Sequence, residues 1–487
     1  MSVRLLTELS MFVPDFSEMI RLFLGNVEIS ADDGDIVVTH QIAEGKNSYV
    51  DLWTSGETMH VQHTVIDEKE PIAFKRLRKR AAKSGLYELL KKMTGIRPPW
   101  GSLTGIRPTR LLYEAMEDGL DRDAAIERLT REFDVAPSRA QLLGEIADAQ
   151  QGLRELPEDA FDLYLGIPFC TTRCDYCSFS SGEIGDGRLV SPYADALIRE
   201  IRTCGVMMRE KGLRVRAAYM GGGTPTALDA ESLDRILAAA REAFPGAVEW
   251  TVEAGRPDTI DAGKLSVLKA HRITRISVNP QSFSDETLAR IGRAHSGADT
   301  IHAYQLARAA GFDNINMDVI AALPGETADD FARTLEQVIA LDPESVTVHA
   351  LAVKRASKLH EQLHVAGGGH APQGAGEAVR MIELARERLT RAGYQPYYIY
   401  RQKYMAGNLE NVGYAKPGRA CLYNIGNMEE TARVLALGAG AISKWVFDRA
   451  RRIERAPNVK NIEEYIARVD EMCARKKKLI EDEGVRA

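Results

Sequence analysis

Apolar and polar positions change their period along the chain, and the changes divide it into three. From Val27 to Asp67 the runs VEIS, DIVVTHQI, SYVDLWT and MHVQHTVI are separated by Asp-Asp-Gly-Asp, Glu-Gly-Lys-Asn and other turn residues. Strand-like runs bounded by turn residues predict a small antiparallel sheet. A helical period follows from Ile72 to Met93, and again at about 122–132 and 137–153. Between these helices Thr94-Gly95-Ile96-Arg97-Pro98 returns as Thr104-Gly105-Ile106-Arg107-Pro108. Five residues are too few for a solenoid unit, and Pro108-Thr109 reads as a helix start.

From residue 161 strands and helices alternate. The pattern predicts strands at Asp162–Phe169, Ala217–Gly222, Glu249–Gly255, Arg275–Ser282, Asn314–Ala322 and Ser345–Val353. Helices are expected at Tyr193–Lys211, Leu233–Phe244, Asp299–Ala310, Asp329–Leu341 and Gln373–Ala392. Six β-α units in series imply an α/β fold, a parallel sheet curved into a partial, TIM-like (β/α)6 barrel. The expected organisation is an α+β accessory domain over 1–155, the barrel over 156–393, and an α+β extension over 394–487 on the substrate side. A last helix is expected at about Ile462–Lys478.

Composition narrows the class. The chain has 487 residues, 45% apolar and 27% charged, with net charge −6, which is an ordinary globular balance and no polyanion binder as a whole. The basic helix Lys75–Lys92 admits contact with RNA or an acidic partner, but a solvated face is the plainer reading, and a nucleic-acid role is not expected. The start, MSVRLLTELSMFVPDFSE, lacks an uninterrupted signal-peptide core, and no apolar run reaches the roughly 18 residues that span a bilayer. A cytoplasmic protein is expected.

In a barrel of this kind the chemistry belongs at the C-terminal strand ends. The first strand runs into Cys170, Cys174 and Cys177, spaced C-x3-C-x2-C, while Cys204, Cys421 and Cys473 are scattered. Three thiolates on one loop suit three corners of an iron–sulfur cube with the fourth iron open. Zinc would want a fourth ligand, and a redox C-x2-C would leave Cys170 unexplained. The second strand ends in Gly221-Gly222-Gly223-Thr224-Pro225, a bare edge that also reads as a flexible turn. Glu253 and Asp318 lie in buried-looking strands, where a structural pair and a ligand contact are equally good readings. The fourth strand ends near Asn279-Pro280-Gln281, and Arg293 follows it by one helix.

These motifs resemble those of a known family. The cysteine loop after Tyr164, GGGTPT (221–226), RISVNPQSFSDETLARIGRAH (275–295) and NINMDVIAALPGET (314–327) are similar to the radical S-adenosylmethionine (SAM) superfamily. Within it they resemble the oxygen-independent coproporphyrinogen III oxidases. GSLTGIRPTRLLYE (101–114), YRQKYMAGNLENVGYAKPG (400–418) and ALGAGAISK (436–444) resemble the HemZ-type coproporphyrinogen dehydrogenases. The resemblance implies a radical SAM barrel in which Cys170, Cys174 and Cys177 ligate a [4Fe–4S] cluster whose open iron chelates SAM. It implies a SAM pocket lined by Tyr164, Tyr176, Gly223, Thr224, Glu253, Gln281, Arg293, Asp318 and Ala350. It further implies an electron donor such as flavodoxin or ferredoxin, and a 5′-deoxyadenosyl radical that takes hydrogen from a coproporphyrinogen propionate, which loses CO2 to leave a vinyl group.

The region after 394 places Tyr394, Tyr397, Tyr398, Tyr400, Tyr404, Tyr414 and Tyr423 within thirty residues, with Arg401, Lys403, Lys416 and Arg419 among them. Rings beside cations suit a flat, carboxylated tetrapyrrole; a tyrosine-rich sheet with wet polar edges reads as well. Gly438-Ala439-Gly440-Ala441 reads as a close-packed turn near substrate. Phe179 stands where coproporphyrinogen oxidases of the family carry a fourth cysteine, an ending shared with relatives that are haem chaperones. Three readings are therefore carried forward: decarboxylase, haem chaperone, and radical SAM enzyme on another tetrapyrrole.

Overall fold

The computed structural model describes the chain apart from residues 26, 106, 178–180, 354–356, 360, 362–374, 403–408, 448–451 and 482–487. Phe179, Lys403 and Tyr404 lie outside the described residues. Two compact units form: Met1–Gly144, which Leu409 joins, and the rest of the chain from Glu145.

The first unit is a mixed sheet under two helices. Its strands are β1 (Ser2–Thr7), β2 (Glu28–Ser30), β3 (Ile36–Glu44), β4 (Ser48–Ser55) and β5 (Thr58–Val65), in the order β2-β1-β3-β4-β5. The expected antiparallel sheet is present as β3-β4-β5, but β1 adds a strand parallel to both β2 and β3. Parallel pairing needs a crossover, and α1 (Val13–Leu24) supplies it. This helix and α2 (Pro71–Thr94) bury Phe16, Ile20, Leu86 and Leu90 against Val3, Leu5, Val38 and Trp53. Helices α3 (Thr109–Glu117), α4 (Arg122–Phe133) and α5 (Pro137–Ala149) follow. The basic helix spends its charge within this unit: Arg78 forks onto buried Asp51 at 2.7 and 2.9 Å, Lys79 meets Asp15, and Lys91 meets Glu88 and Asp134.

The second unit carries the six expected β-α units. Strands β6 (Ala160–Ile167), β9 (Arg214–Gly222), β10 (Glu249–Glu253), β11 (Arg275–Ser277), β12 (Ile315–Ala321) and β13 (Ser345–Ala350) pair in sequence order, all parallel. They are buried nearly throughout, as strands covered on both faces must be. Helices α6 (Val190–Glu210), α7 (Ala230–Ala243), α8 (Ala262–Ala270), α9 (Asp285–Arg290), α10 (Gly297–Ala309), α11 (Ala328–Leu341) and α12 (Ala375–Arg391) complete the units. Asp229, Asp261, Ser284, Ser296 and Thr327 cap five of them with a side chain, whereas α6 begins at Leu189 without one. Strand β11 stops five residues before the expected Ser282, because Pro280 offers no N–H and Gln281 turns to φ +65°.

The sheet grows at both edges into a partial barrel. β14 (Gln395–Tyr400) and β15 (Asn411–Ala415) extend it beyond β13, with β15 antiparallel to both. After α13 (Leu422–Met428), β16 (Val434–Leu437) pairs parallel to β6, and β17 (Ile442–Phe447) and β18 (Arg452–Pro457) follow antiparallel. The terminal helix divides at Arg468 into α14 (Ile462–Ala467) and α15 (Val469–Glu481). Two further short strands, β7 (Phe169–Cys170) and β8 (Gly182–Glu183), pair with each other beside the barrel. Among the described residues no helix is long and apolar enough to cross a membrane.

Glu200 ties the C-terminal helices to the barrel. Its carboxylate accepts from Lys476 Nζ at 2.6 Å, Tyr465 Oη at 2.6 Å, Asn458 Nδ2 at 3.0 Å and the Gly438 N–H at 2.8 Å, all buried. The turn at Gly438 thus packs on β6: a Cβ there would lie 2.4 Å from the Gly166 carbonyl, and its φ is +103°. Glu200→Ala strands a buried ammonium, and breaking such a pair is expected to destabilise the chain by about 3–5 kcal/mol. Denaturant unfolding of wild type and variant checks this.

Candidate active site

The cysteine loop is held to the barrel by backbone contacts. The Gly223 N–H donates to the Ile167 carbonyl and the Thr224 N–H to the Phe169 carbonyl, both at 2.7 Å. A Cβ on Gly223 would sit 2.4 Å from that Phe169 oxygen, and one on Gly221 would sit 2.8 Å from the Glu253 carboxyl carbon. Gly222 has φ +108°. Gly221 and Gly223 are therefore packing requirements and Gly222 a conformational one, and at Gly223 the approaching backbone belongs to the cysteine loop itself. On its other side the loop pairs with β8, Ile184 N–H donating to the Cys170 carbonyl at 2.8 Å.

Cys174 is buried, Cys170 and Cys177 are half-buried, and none of the three is in a disulfide. Polar hydrogens point at the sulfurs. Thr224 Oγ1 donates to Cys170 Sγ and Arg256 Nη1 to Cys174 Sγ, each at 3.6 Å, and Arg293 also reaches Cys174. Tyr176 lies between Cys174, Cys177 and Arg293; burial pushes its phenol well up, with the Arg293 charge opposing.

The barrel mouth beside this loop holds two carboxylates in different states. Burial first, with the nearby Asp318 charge, pushes the Glu253 carboxyl up to about 7, against a hydrogen bond from Tyr219 Oη at 2.6 Å. Burial would also raise Asp318, but His349, Asn316 and Thr347 outweigh it and hold Asp318 below the usual range. Asn279 Nδ2 donates to Asp318 at 2.8 Å and Asn316 Nδ2 at 2.7 Å. Arg293 is buried and donates to the Asn279 carbonyl at 3.0 Å, leaving its Nε unpaired. Gln281 Oε1 and Ser277 Oγ are likewise buried without a partner. Unpaired buried polar atoms gathered at one mouth mark a place built for a polar ligand. Tyr164, Tyr219 and Tyr423 stack inside the barrel, Tyr219 and Tyr423 at 4.8 Å between ring centres.

Tyr164, Tyr176, Gly223, Thr224, Glu253, Gln281, Arg293, Asp318 and Ala350 thus all lie on the strands of this barrel or on the segments at their C-terminal ends. Ala350 ends β13, its N–H taken by Asn411 Oδ1 at 2.9 Å. Buried Arg401 follows β14 at the same end. Lys416 and Arg419 do not join them. They follow β15, which runs backwards, so they lie at the N-terminal strand ends, Lys416 against Asp342 at 2.7 Å and the Arg419 carbonyl against Arg275. The sequence reading missed Tyr219, His349, Arg256 and Asp258. His349 shares the face of Thr347, opposite Asp318 on the neighbouring strand, a signal that inward parity carries.

Comparison with known proteins agrees with this geometry. Residues 164–338 match the radical SAM superfamily. The chain is 39% identical to the oxygen-independent coproporphyrinogen-III oxidase-like protein HemZ of Bacillus subtilis (strain 168), over 88% of this chain and 86% of that one. The chain belongs to the radical SAM superfamily and, within it, to the oxygen-independent coproporphyrinogen-III oxidase-like family. It is also 28% identical to the haem chaperone HemW of Escherichia coli (strain K12), over 59% of this chain and 71% of the relative. The crystal structure of coproporphyrinogen III oxidase (HemN) from Escherichia coli shares the fold, with TM-score 0.53 and 24% identity over 69% of this chain and 73% of that one.

A radical SAM protein works with a [4Fe–4S] cluster and SAM, and the residues fit both. Among the described residues no three His, Cys, Asp or Glu side chains converge on one metal ion. A cube needs no such convergence, since each thiolate bonds its own iron. The donors aimed at Cys170 and Cys174 suit thiolates, and the unpaired atoms beside them suit a charged amino acid.

The raised Glu253 carboxyl has a consequence for stability. Between its ordinary value and about 7 the folded chain keeps a proton that the unfolded chain releases, so its contribution falls as pH rises through that window. Glu253→Gln is expected to gain roughly 3 kcal/mol on wild type between pH 4.5 and 7.5, read by urea unfolding without added SAM.

Proposed function

We propose that this chain is an oxygen-independent enzyme of tetrapyrrole synthesis, converting coproporphyrinogen III propionates to vinyls. The observation that supports it is the identity with the HemZ protein over nearly the full length, joined to a cysteine loop held beside unpaired buried polar atoms. Cys170, Cys174 and Cys177 hold the cluster. Arg293 pairs with the methionine carboxylate of SAM, and Glu253 or Asp318 accepts from its ammonium or ribose hydroxyls. Glu253 gives up its proton when that cation arrives, because an opposite charge offsets the burial that keeps it neutral. Tyr176, Gln281, Thr224, Gly223, Ala350 and Tyr164 complete the pocket wall. When bound, the cofactors would supply a hydrogen-abstracting radical; the propionate radical it leaves loses CO2 and passes one electron to a one-electron acceptor, leaving the vinyl group. The stacked Tyr164, Tyr219 and Tyr423 exclude water from the barrel interior. A flavodoxin- or ferredoxin-type donor delivers the electron.

A second reading, a haem chaperone that keeps the cluster without decarboxylation, is favoured by Phe179 in place of a fourth cysteine and by the identity with HemW. Anaerobic incubation of the reconstituted chain with SAM, reductant and coproporphyrinogen III separates the two. The enzyme reading expects 5′-deoxyadenosine together with vinyl products by mass spectrometry. Deoxyadenosine without a vinyl product removes coproporphyrinogen III as substrate, and tight haem binding without SAM cleavage selects the chaperone. Cys174→Ala is expected to lose the brown visible absorption of a thiolate-ligated cluster; an unchanged spectrum would falsify the ligand set.

A further inference from the structure

Outside the residues assigned above, the segment after β10 makes an unusual set of contacts with the cysteine loop. Arg256 is 2% exposed and reaches back across the barrel rim. Its Nη1 donates to the Thr172 carbonyl at 3.1 Å and to Cys174 Sγ at 3.6 Å. Its Nε and Nη2 fork onto Asp258 at 3.0 and 3.3 Å, and Asp258 in turn accepts from Thr171 Oγ1 at 3.0 Å. Arg256 and Asp258 therefore grip three successive features of the loop: the Thr171 hydroxyl, the Thr172 carbonyl and the Cys174 sulfur. The grip is anchored in turn. The Arg256 carbonyl accepts from the Thr259 N–H and hydroxyl, and Thr259 Oγ1 meets Thr226 Oγ1 at 2.6 Å beside the end of β9.

We infer that Arg256, held by Asp258, is a positioning residue for the iron–sulfur centre, which fixes the Cys174 ligand and raises the centre's reduction potential. This rests on the assignment of Cys174 as a cluster ligand. A guanidinium is well matched to the task. It is permanently charged, its planar fork serves Asp258 with one edge while the remaining hydrogens serve the carbonyl and the sulfur, and it is weakly hydrated enough to be buried. A positive donor on a ligand sulfur stabilises the more negative, reduced cluster over the oxidised one. Arg293 reaches the same sulfur, so Cys174 carries two cations where Cys170 receives the hydroxyl of Thr224.

The test uses the full-length, anaerobically reconstituted chain, with iron and sulfide per chain and the cluster midpoint potential, followed by electron paramagnetic resonance, as readouts. Arg256→Gln and Arg256→Ala are expected to make one-electron reduction at least tenfold less favourable, a shift of about 59 mV to more negative potential. Arg256→Lys keeps the charge and loses the fork, and is expected to recover part of the potential. Should Arg256→Ala fail to fold, the near-isosteric Arg256→Gln carries the comparison. A potential unchanged in Arg256→Gln at full iron content overturns the inference, as does lower iron content with an unchanged potential in the clusters that remain. A wild-type chain that assembles no cluster, or a Cys174→Ala variant that keeps one, overturns the ligand assignment instead.

Discussion

The close backbone approach at Gly223 is the constraint on which the site depends. Two peptide hydrogen bonds, Gly223 to Ile167 and Thr224 to Phe169, lay the start of the cysteine loop along the end of β9. A Cβ at Gly223 would overlap the Phe169 carbonyl and push the loop away. Because the loop lies there, Thr224 reaches Cys170, and the segment after β10 can reach Thr172 and Cys174. The glycine works by admitting the protein's own chain. Its N–H is already committed to the Ile167 carbonyl.

From that anchoring follows the electrostatic division of the mouth. Glu253 and Asp318 are both buried, yet burial wins at Glu253 and hydrogen bonding wins at Asp318. The difference lies in the partners. Asp318 has two amide donors, the Thr347 hydroxyl and the His349 ring, while Glu253 has one phenol, the Gly222 N–H and a neighbouring negative charge. Two carboxylates in one low-dielectric space avoid double ionisation by holding a proton on one of them. The site is thereby prepared for a cation that restores the second charge, as the proposed ammonium of SAM does.

Much of this was legible in the residue pattern, for a physical reason. Parallel strands buried on both faces read as unbroken apolar runs, so the six barrel strands stood out with their helices between them. The three thiols stood out because nothing structural requires them at that spacing. What the pattern could not carry was direction and partnership. β1 is six residues long and pairs in parallel with strands that come later, so no local signal marks it. Lys416 and Arg419 looked close to Arg401 along the chain, but β15 reverses and returns them to the far end of the barrel. Arg256 carries no signal in the pattern, because a side chain that folds back to bind a sulfur leaves no periodic trace.

The tyrosines after 394 show how composition and geometry part company. Tyr394, Tyr397, Tyr398, Tyr414 and Tyr423 are all buried, so as a group they form neither a wet sheet edge nor an open aromatic platform. Glu249 fixes where Tyr423 goes: its carboxylate takes the Leu422 and Tyr423 N–H groups at 2.9 and 3.1 Å and the Cys421 thiol at 3.2 Å. That contact starts α13 against the inner side of β10 and carries the Tyr423 ring onto Tyr219, whose hydroxyl holds Glu253. With β15 paired to β13 and β16 paired to β6, the residues after 394 are barrel wall. A partial barrel left open between β6 and β13 would admit water to two buried carboxyls and erase the difference between them. The C-terminal segment therefore adds to the burial that raises the Glu253 carboxyl, and the chemistry of the mouth depends on chain outside the six barrel strands.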